Sequence, residues 1–174
     1  FVYKAFPEFV ERGTFINADH FARDLYPENV EKVSLKAGKL FLSHFNKFLS
    51  ENKPFVVETT LSGKSLLQKI GKARENGFKT TLVFMWITSV ELCDFRVKGR
   101  VAAGGHNIPI EVIKRRYKRG LRNFKKYLEV VDECNVFLAD TMPKLVFEKE
   151  LGHPKIIMPD LHAAFLCDIE RASE

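Results

Sequence analysis

The apolar residues of this chain fall into short continuous runs separated by longer stretches with helical spacing. The run at residues 80–87 (TTLVFMWI) is continuous, β-branched and aromatic, which is typical of a strand buried on both faces. Similar but shorter runs predict the other strands, at residues 14–18, 55–57, 136–139, 145–147 and 156–158.

Between these runs, apolar residues recur at steps of three and four, which places them on one face of a helix. This spacing predicts helices at residues 1–12, 28–50, 65–75, 90–101, 111–131 and 161–171. The alternation of strands and helices predicts an α/β fold with a mainly parallel sheet flanked by helices.

The composition limits the class of protein. A chain of 174 residues with 45% apolar content can bury a sizeable core, so we expect one domain spanning residues 1–174. Every apolar run is shorter than the ~18 residues of a membrane span, so no membrane insertion is expected. Three scattered cysteines and no signal-peptide pattern favour a cytoplasmic protein. The net charge of +6 favours an anionic ligand.

Polar groups follow several of the predicted strands: Asn17 and Asp19, then Glu58, Thr59 and Thr60, and later Asp140. In a parallel sheet the carboxyl ends of the strands form one edge, where ligands bind. A carboxylate there can orient or deprotonate a substrate hydroxyl. The alternative is helix capping, by Asp19 in the first group and by Thr60 or Ser62 in the second.

A strongly basic segment follows a glycine-containing loop at residues 104–109. Between Val112 and Leu128 the chain has no acidic residue and eight basic ones: Lys114, Arg115, Arg116, Lys118, Arg119, Arg122, Lys125 and Lys126. Such a segment suits a lid that closes on a triphosphate. A solvated helix face and a nucleic-acid-binding helix are the alternatives.

Five segments, taken together, closely resemble the zeta-toxin-like P-loop kinases, and more narrowly the subgroup of predicted ABC-type ATPases and UDP-N-acetylglucosamine kinase-like proteins. They are FINADHFARDLYPENVEKVSLKAGKLFL from residue 15, FVVETTLSGKS from 55, ARENGFKTTLVFMWI from 73, RVKGRVAAGGHNIPIEVIKRRYKRGLRNF from 96 and VFLAD from 136. The resemblance runs in order over residues 1–140 and covers most of the chain.

This resemblance implies a P-loop kinase fold with an arginine-rich helical lid. It implies transfer of the γ-phosphoryl group of ATP, with Mg²⁺, to a hydroxyl of a small molecule, most simply a UDP-sugar such as UDP-N-acetylglucosamine. An antitoxin protein becomes a candidate partner, whereas nucleic acid is not expected. Residue by residue, the resemblance implies catalytic roles for Asp19, Arg116 and Arg119, acceptor binding by Asn17, Glu58, Thr59 and Thr60, and nucleotide binding by Arg100, His106 and Arg115.

The chain departs from the family at its start. The family opens with a strand and a phosphate-binding loop of the form GxxxxGK[ST], and the residue after that loop corresponds to Phe1. The segment Gly63-Lys64-Ser65 does not replace it, because Glu58 stands where the first glycine is required. We therefore expect a strand and a P-loop to precede Phe1. Otherwise the protein is a non-catalytic nucleotide- or nucleic-acid-binding relative.

Overall fold

The structure is a computed structural model of the chain. It describes residues 4, 7–18, 20, 21, 34–105, 107–150 and 152–174. The chain divides into two compact units, Phe1–Thr59 and Thr60–Glu174. The single domain expected from the sequence stays a prediction.

The first unit contains two helices and a pair of parallel strands among its described residues. In chain order these are α1 (Pro7–Glu11), β1 (Phe15–Asn17), α2 (Ser34–Ser50) and β2 (Val56–Glu58). The strand register opposes Phe15 to Val56 and Asn17 to Glu58. Helix α2 buries the ring of Phe45, which meets Phe55 edge-on at 5.0 Å between ring centroids. The apolar face that predicted this helix is therefore its packing face.

The second unit contains four helices and four strands among its described residues. They are α3 (Ser65–Glu75), β3 (Thr81–Trp86), α4 (Val90–Ala102), α5 (Ile110–Val130), β4 (Glu133–Leu138), β5 (Lys144–Glu150), β6 (His153–Ile156) and α6 (Pro159–Ser173). The sheet has the order β3-β4-β5-β6.

The sheet of the second unit is mixed rather than mainly parallel. Strands β3 and β4 are parallel, but β4 and β5 are antiparallel, as are β5 and β6. The reason lies in the connections. Helices α4 and α5 separate β3 from β4, whereas β4, β5 and β6 follow one another through short turns. A parallel pair needs a crossover of about a dozen residues, so a short turn joins only antiparallel strands. The α/β class itself is confirmed.

The core of the second unit lies between the sheet and helices α5 and α6. Among its largest members are Trp86 of β3, Phe124 of α5 and Phe165 of α6. The ring centroids of Trp86 and Phe165 are 5.3 Å apart, and those of Phe124 and Phe165 are 5.0 Å apart. The indole N–H of Trp86 donates to Asp168 Oδ2 at 3.0 Å. This packing fixes the inner face of α5, which decides where its basic residues point.

Most of the predicted elements are present with small shifts in their bounds. The helix predicted at residues 65–75 has those bounds, and the predicted strand at 80–87 is Thr81–Trp86. The helix predicted at 28–50 is described from Ser34, since residues 28–33 lie outside the described part. Within the described part, no helix combines the length and the apolar character that a membrane span requires.

Candidate functional site

An amide and a carboxylate are paired where the two strands of the first unit end. Asn17 and Glu58 are opposite each other in the parallel register, and Asn17 Nδ2 donates to Glu58 Oε2 at 2.8 Å. The bond holds an exposed carboxylate at the carboxyl end of both strands. The sequence predicted both residues at the carboxyl ends of strands, where they lie, and their role in acceptor binding stays a prediction. Asp19 lies outside the described residues, so its predicted role as the base stays a prediction.

The loop that opens the second unit presents two hydroxyl groups. Thr60 Oγ1 and Ser62 Oγ are 2.9 Å apart and hydrogen-bonded to each other. Between them, Leu61 has a φ of +53° and is only 3% exposed. A non-glycine residue in this left-handed region is uncommon and needs support from its surroundings. The backbone shape of this loop therefore depends on what is packed against it.

Helix α5 supplies that support through three residues on one edge. The Cα of Gly120 is so close to the loop that a Cβ there would lie 2.7 Å from the Thr60 carbonyl oxygen. One turn later, Asn123 Nδ2 donates to the Leu61 carbonyl oxygen at 2.8 Å. A further turn on, the Tyr127 hydroxyl donates to the Gly63 carbonyl oxygen at 2.9 Å. The helix thus packs against the loop backbone at Thr60 and donates hydrogen bonds to it at Leu61 and Gly63.

The three arginines predicted to act from this helix do not occupy equivalent positions. Arg116 precedes Gly120, Asn123 and Tyr127 by one, two and three turns, so it belongs to the same edge of the helix. It is half-buried, whereas Arg115 and Arg119 are exposed. The helical spacing therefore places Arg116, but not Arg115 or Arg119, on the edge of α5 that contacts the hydroxyl loop at residues 60–63.

A second polar group lies where strands β3 and β4 end. Asp140 accepts hydrogen bonds from the Thr88 N–H at 3.0 Å and from Thr88 Oγ1 at 2.6 Å. The Arg96 guanidinium donates to the carbonyl oxygens of Ala139 and Asp140. At the same end of β3, the Tyr117 hydroxyl donates to the Ile87 carbonyl oxygen at 3.0 Å. The Tyr117 contact fastens the N-terminal half of α5 to the carboxyl edge of the sheet, and the Arg96 contacts fasten α4 to the same edge.

The predicted nucleotide-binding residues are located only in part. Arg100 lies in the last turn of α4, and its carbonyl oxygen accepts from the Gly105 N–H at 2.8 Å. The approach is close, because a Cβ on Gly105 would be 2.6 Å from Arg100 Cγ. His106 lies outside the described residues. Whether Arg100, His106 and Arg115 bind nucleotide stays a prediction.

The two tyrosines of α5 act as hydrogen-bond donors across the neutral range. Burial raises the pKa of Tyr127 to about 12. Burial, followed by the negative charge of Asp168, also raises the pKa of Tyr117. Each phenol therefore stays protonated and can donate to the carbonyl oxygen that it contacts. Over the described ranges, no three His, Cys, Asp or Glu side chains are grouped so as to hold a metal ion.

Sequence reasoning did not identify Gly120, Asn123 or Tyr127 as part of the site. Two signals were available in the sequence. Asn123 is a polar residue at an inward position of an amphipathic helix, and it is 5% exposed. Gly120 is a glycine inside a long helix, where it costs about 1 kcal/mol relative to alanine. Neither a buried asparagine nor an interior glycine is expected in a helix whose inner face only packs against an apolar core.

Comparisons with known proteins place the chain among relatives and give its fold class. No protein-family model matches the chain. An uncharacterized protein of Haemophilus influenzae (strain ATCC 51907 / DSM 11121 / KW20 / Rd) is 36% identical over 102 residues, which are 59% of this chain and 73% of that protein. The chain belongs to the same family as this protein.

The structure is similar to a solved chain of the PezAT chromosomal toxin–antitoxin system of Streptococcus pneumoniae. The TM-score is 0.58 at 14% identity, and the match covers 99% of this chain and 82% of that chain. At this identity the likeness concerns the fold alone. It supports the zeta-toxin-like fold that the sequence motifs indicated.

Proposed function

We propose that this protein is an ATP-dependent phosphotransferase that phosphorylates a hydroxyl group of a small molecule. The zeta-toxin-like fold supports a kinase-like protein. The observation that carries the proposal is the hydroxyl loop at residues 60–63, which α5 holds at three points on the edge of the helix that also carries Arg116. Groups for binding a hydroxyl and a cation for a phosphoryl group are therefore adjacent in one unit.

In the proposed reaction the acceptor oxygen attacks the γ-phosphorus of ATP. A new P–O bond forms, the bond to the bridging oxygen of ADP breaks, and the acceptor proton passes to the Asp19 carboxylate. Arg116 and Arg119 balance the negative charge on the equatorial oxygens of the transferring group. Catalysis of this kind depends on positioning and electrostatics rather than on covalent chemistry by the protein.

The acceptor side of the proposed site comes from residues that the sequence already grouped. Asn17, Glu58, Thr59 and Thr60 would bind the acceptor hydroxyls. Mg²⁺ takes oxygen ligands and usually keeps water and phosphate ligands beside one or two carboxylates. The exposed Glu58 carboxylate, oriented by Asn17 at 2.8 Å, is of the type that would enter its shell. Nucleotide binding by Arg100, His106 and Arg115 is a further part of the proposal.

We further propose a UDP-sugar such as UDP-N-acetylglucosamine as the acceptor and an antitoxin protein as a partner. The sequence motifs support the first, and the likeness to a chain of a toxin–antitoxin system supports the second. Both proposals are more specific than the statement that the fold is kinase-like. An acceptor screen tests the first, and a binding assay with the antitoxin protein tests the second.

The test of the proposed activity is transfer of labelled γ-phosphate from Mg²⁺-ATP to a panel of UDP-sugars, nucleosides and polynucleotide ends by the full-length protein. If Arg116 stabilises the transferring group, Arg116→Ala should lower the rate by about 10³-fold or more. Lys118→Ala is the matched control, because Lys118 is an exposed cation of the same helix away from the loop edge. Equal rates for the two variants would place Arg116 on a solvated face.

One observation favours a second function, which is non-catalytic binding of nucleotides or nucleic acid. The outer face of α5 has exposed basic side chains that make no ion pair with another described residue, among them Arg115, Lys118 and Arg119. Such a face suits a phosphate backbone. Binding of this kind would weaken steeply with salt and would not depend on Asp19. Phosphoryl transfer that requires Asp19 would exclude it.

A further inference from the structure

The loop at residues 60–63 has a backbone shape that its own sequence does not favour. Leu61 takes a φ of +53°, although leucine has a Cβ that disfavours this region. Its side chain is nonetheless 3% exposed, so the conformation is held in place rather than sampled at the surface. A change in the Leu61 backbone would move the residues on both sides of it, and these carry the two hydroxyls.

The group that contacts the Leu61 backbone is a side chain of α5. Asn123 is 5% exposed and its Nδ2 lies 2.8 Å from the Leu61 carbonyl oxygen. A carbonyl oxygen can only accept, so the amide nitrogen must face it. Without this donor the buried carbonyl would lose a hydrogen bond, and the loop backbone would be held less firmly at Leu61.

The second hydrogen bond reaches the nearby residue Gly63, which is exposed, so water can replace this donor more easily than it can replace Asn123. The Tyr127 hydroxyl donates to the Gly63 carbonyl oxygen at 2.9 Å. Its removal by phenylalanine leaves the ring, which is 1% exposed with the rest of the side chain, in its place. Two hydrogen bonds from α5, to the carbonyl oxygens of Leu61 and Gly63, restrict both the position and the twist of this short loop.

We propose that Asn123 is a positioning residue that holds Leu61 in its left-handed conformation and thereby fixes Thr60 Oγ1 and Ser62 Oγ as a pair that binds the hydroxyl-bearing acceptor. The role of the hydroxyl pair rests on the proposed phosphotransferase function. The fixing of the loop does not, because it concerns contacts within the second unit alone. Asn123 touches neither substrate nor nucleotide in this proposal and acts through the loop.

The experiment compares Asn123→Ala, Tyr127→Phe and wild type by hydrogen–deuterium exchange, with mass spectrometry of a peptide covering residues 59–67. Loss of one hydrogen bond of ordinary strength should speed exchange in this peptide by about tenfold in Asn123→Ala, and by less in Tyr127→Phe. Exchange in β3 should not change. Val146→Ala is the control for general destabilisation, since Val146 is 0% exposed in β5 and has no part in the loop.

Kinetics supply the second readout. Asn123→Ala should raise the KM for the acceptor, or lower kcat, and leave the KM for ATP unchanged. Tyr127→Phe should shift the same parameter in the same direction by a smaller factor. Unchanged exchange in the 59–67 peptide, or a change no larger than in Val146→Ala at the same fall in Tm, would overturn the positioning role. Faster exchange in a protein that transfers no phosphate would uphold the positioning of the loop and refute the phosphotransferase.

Discussion

The close approach of α5 to the hydroxyl loop makes a sharp prediction for Gly120→Ala. A Cβ at this position would lie 2.7 Å from the Thr60 carbonyl oxygen, which is a backbone atom and cannot swing aside. A relaxed carbon–oxygen contact is about 3.3 Å, so the loop or the helix must move by roughly 0.6 Å. Overpacking of this kind costs about 1–3 kcal/mol.

The same substitution also stabilises the helix, and this gain offsets part of the cost of overpacking. Alanine is favoured over glycine in a helix interior by about 1 kcal/mol. Gly120→Ala should therefore destabilise the unit by about 0–2 kcal/mol. Gly99→Ala is the matched control, because Gly99 lies inside α4 and a Cβ there would meet no neighbouring group within 4 Å. It should show the gain alone, so the two variants should differ by about 1–3 kcal/mol.

Urea unfolding followed by tryptophan fluorescence measures this difference. The chain has a single tryptophan, Trp86, which is 2% exposed in β3 and reports on the second unit. With an m-value of about 2 kcal/mol/M, the midpoints should differ by about 0.5–1.5 M, with Gly120→Ala the lower. A midpoint for Gly120→Ala equal to or above that of Gly99→Ala would refute the contact between α5 and the loop.

The remaining predictions concern the proposed base and the buried phenol. Asp19→Asn should lower phosphoryl transfer by about 10²–10⁴-fold, as loss of a general base does, and leave ATP binding intact; an equal loss of ATP binding, measured by calorimetry, would make Asp19 structural. Burial raises the pKa of Tyr127 from 10.0 to about 12, so its contribution to stability is complete below pH 10 and is lost as the pH rises toward 12. Tm measured across this window should fall less steeply in Tyr127→Phe than in wild type; parallel curves would contradict the raised pKa.

The helices and the longest predicted strand could be anticipated because their signals are local. The apolar steps of three and four along residues 111–131 are also the contacts that Leu121 and Phe124 make with the core. In the run at residues 80–87 only Thr81 is exposed, residues 82–85 are half-buried and Trp86 is buried. In these segments the sequence pattern and the tertiary environment agree.

The mixed sheet could not be predicted from the same patterns. The apolar run at residues 145–147 lies within β5, and the run at 156–158 overlaps β6 (His153–Ile156) only at Ile156; neither run indicates the direction of its strand. Direction follows from the length of the connection, and the short turns before β5 and β6 allow only antiparallel pairing. The Asn17–Glu58 pair, in contrast, could be anticipated, since polar residues at the ends of two parallel strands meet at one edge.

The contacts of Asn123 and Tyr127 could not be predicted, because each joins a side chain to a backbone carbonyl more than sixty residues away. Such a bond leaves no periodicity in the sequence. The sequence shows only that a buried position of α5 is polar, and not which carbonyl it reaches. Tertiary structure alone identifies Leu61 and Gly63 as the partners.

The high positive charge of α5 does not stabilise the helix. Like charges four residues apart, such as Arg115 with Arg119 and Lys118 with Arg122, each cost about 0.2–0.5 kcal/mol. One of the eight cations has a carboxylate partner among the described residues, since Lys114 meets Glu111 at 3.0 Å. The core face must therefore hold the helix together against its outer face. The basic residues of α5 destabilise the helix, and the same helix contacts the hydroxyl loop. Binding of an anionic ligand therefore explains these residues better than a role in folding does.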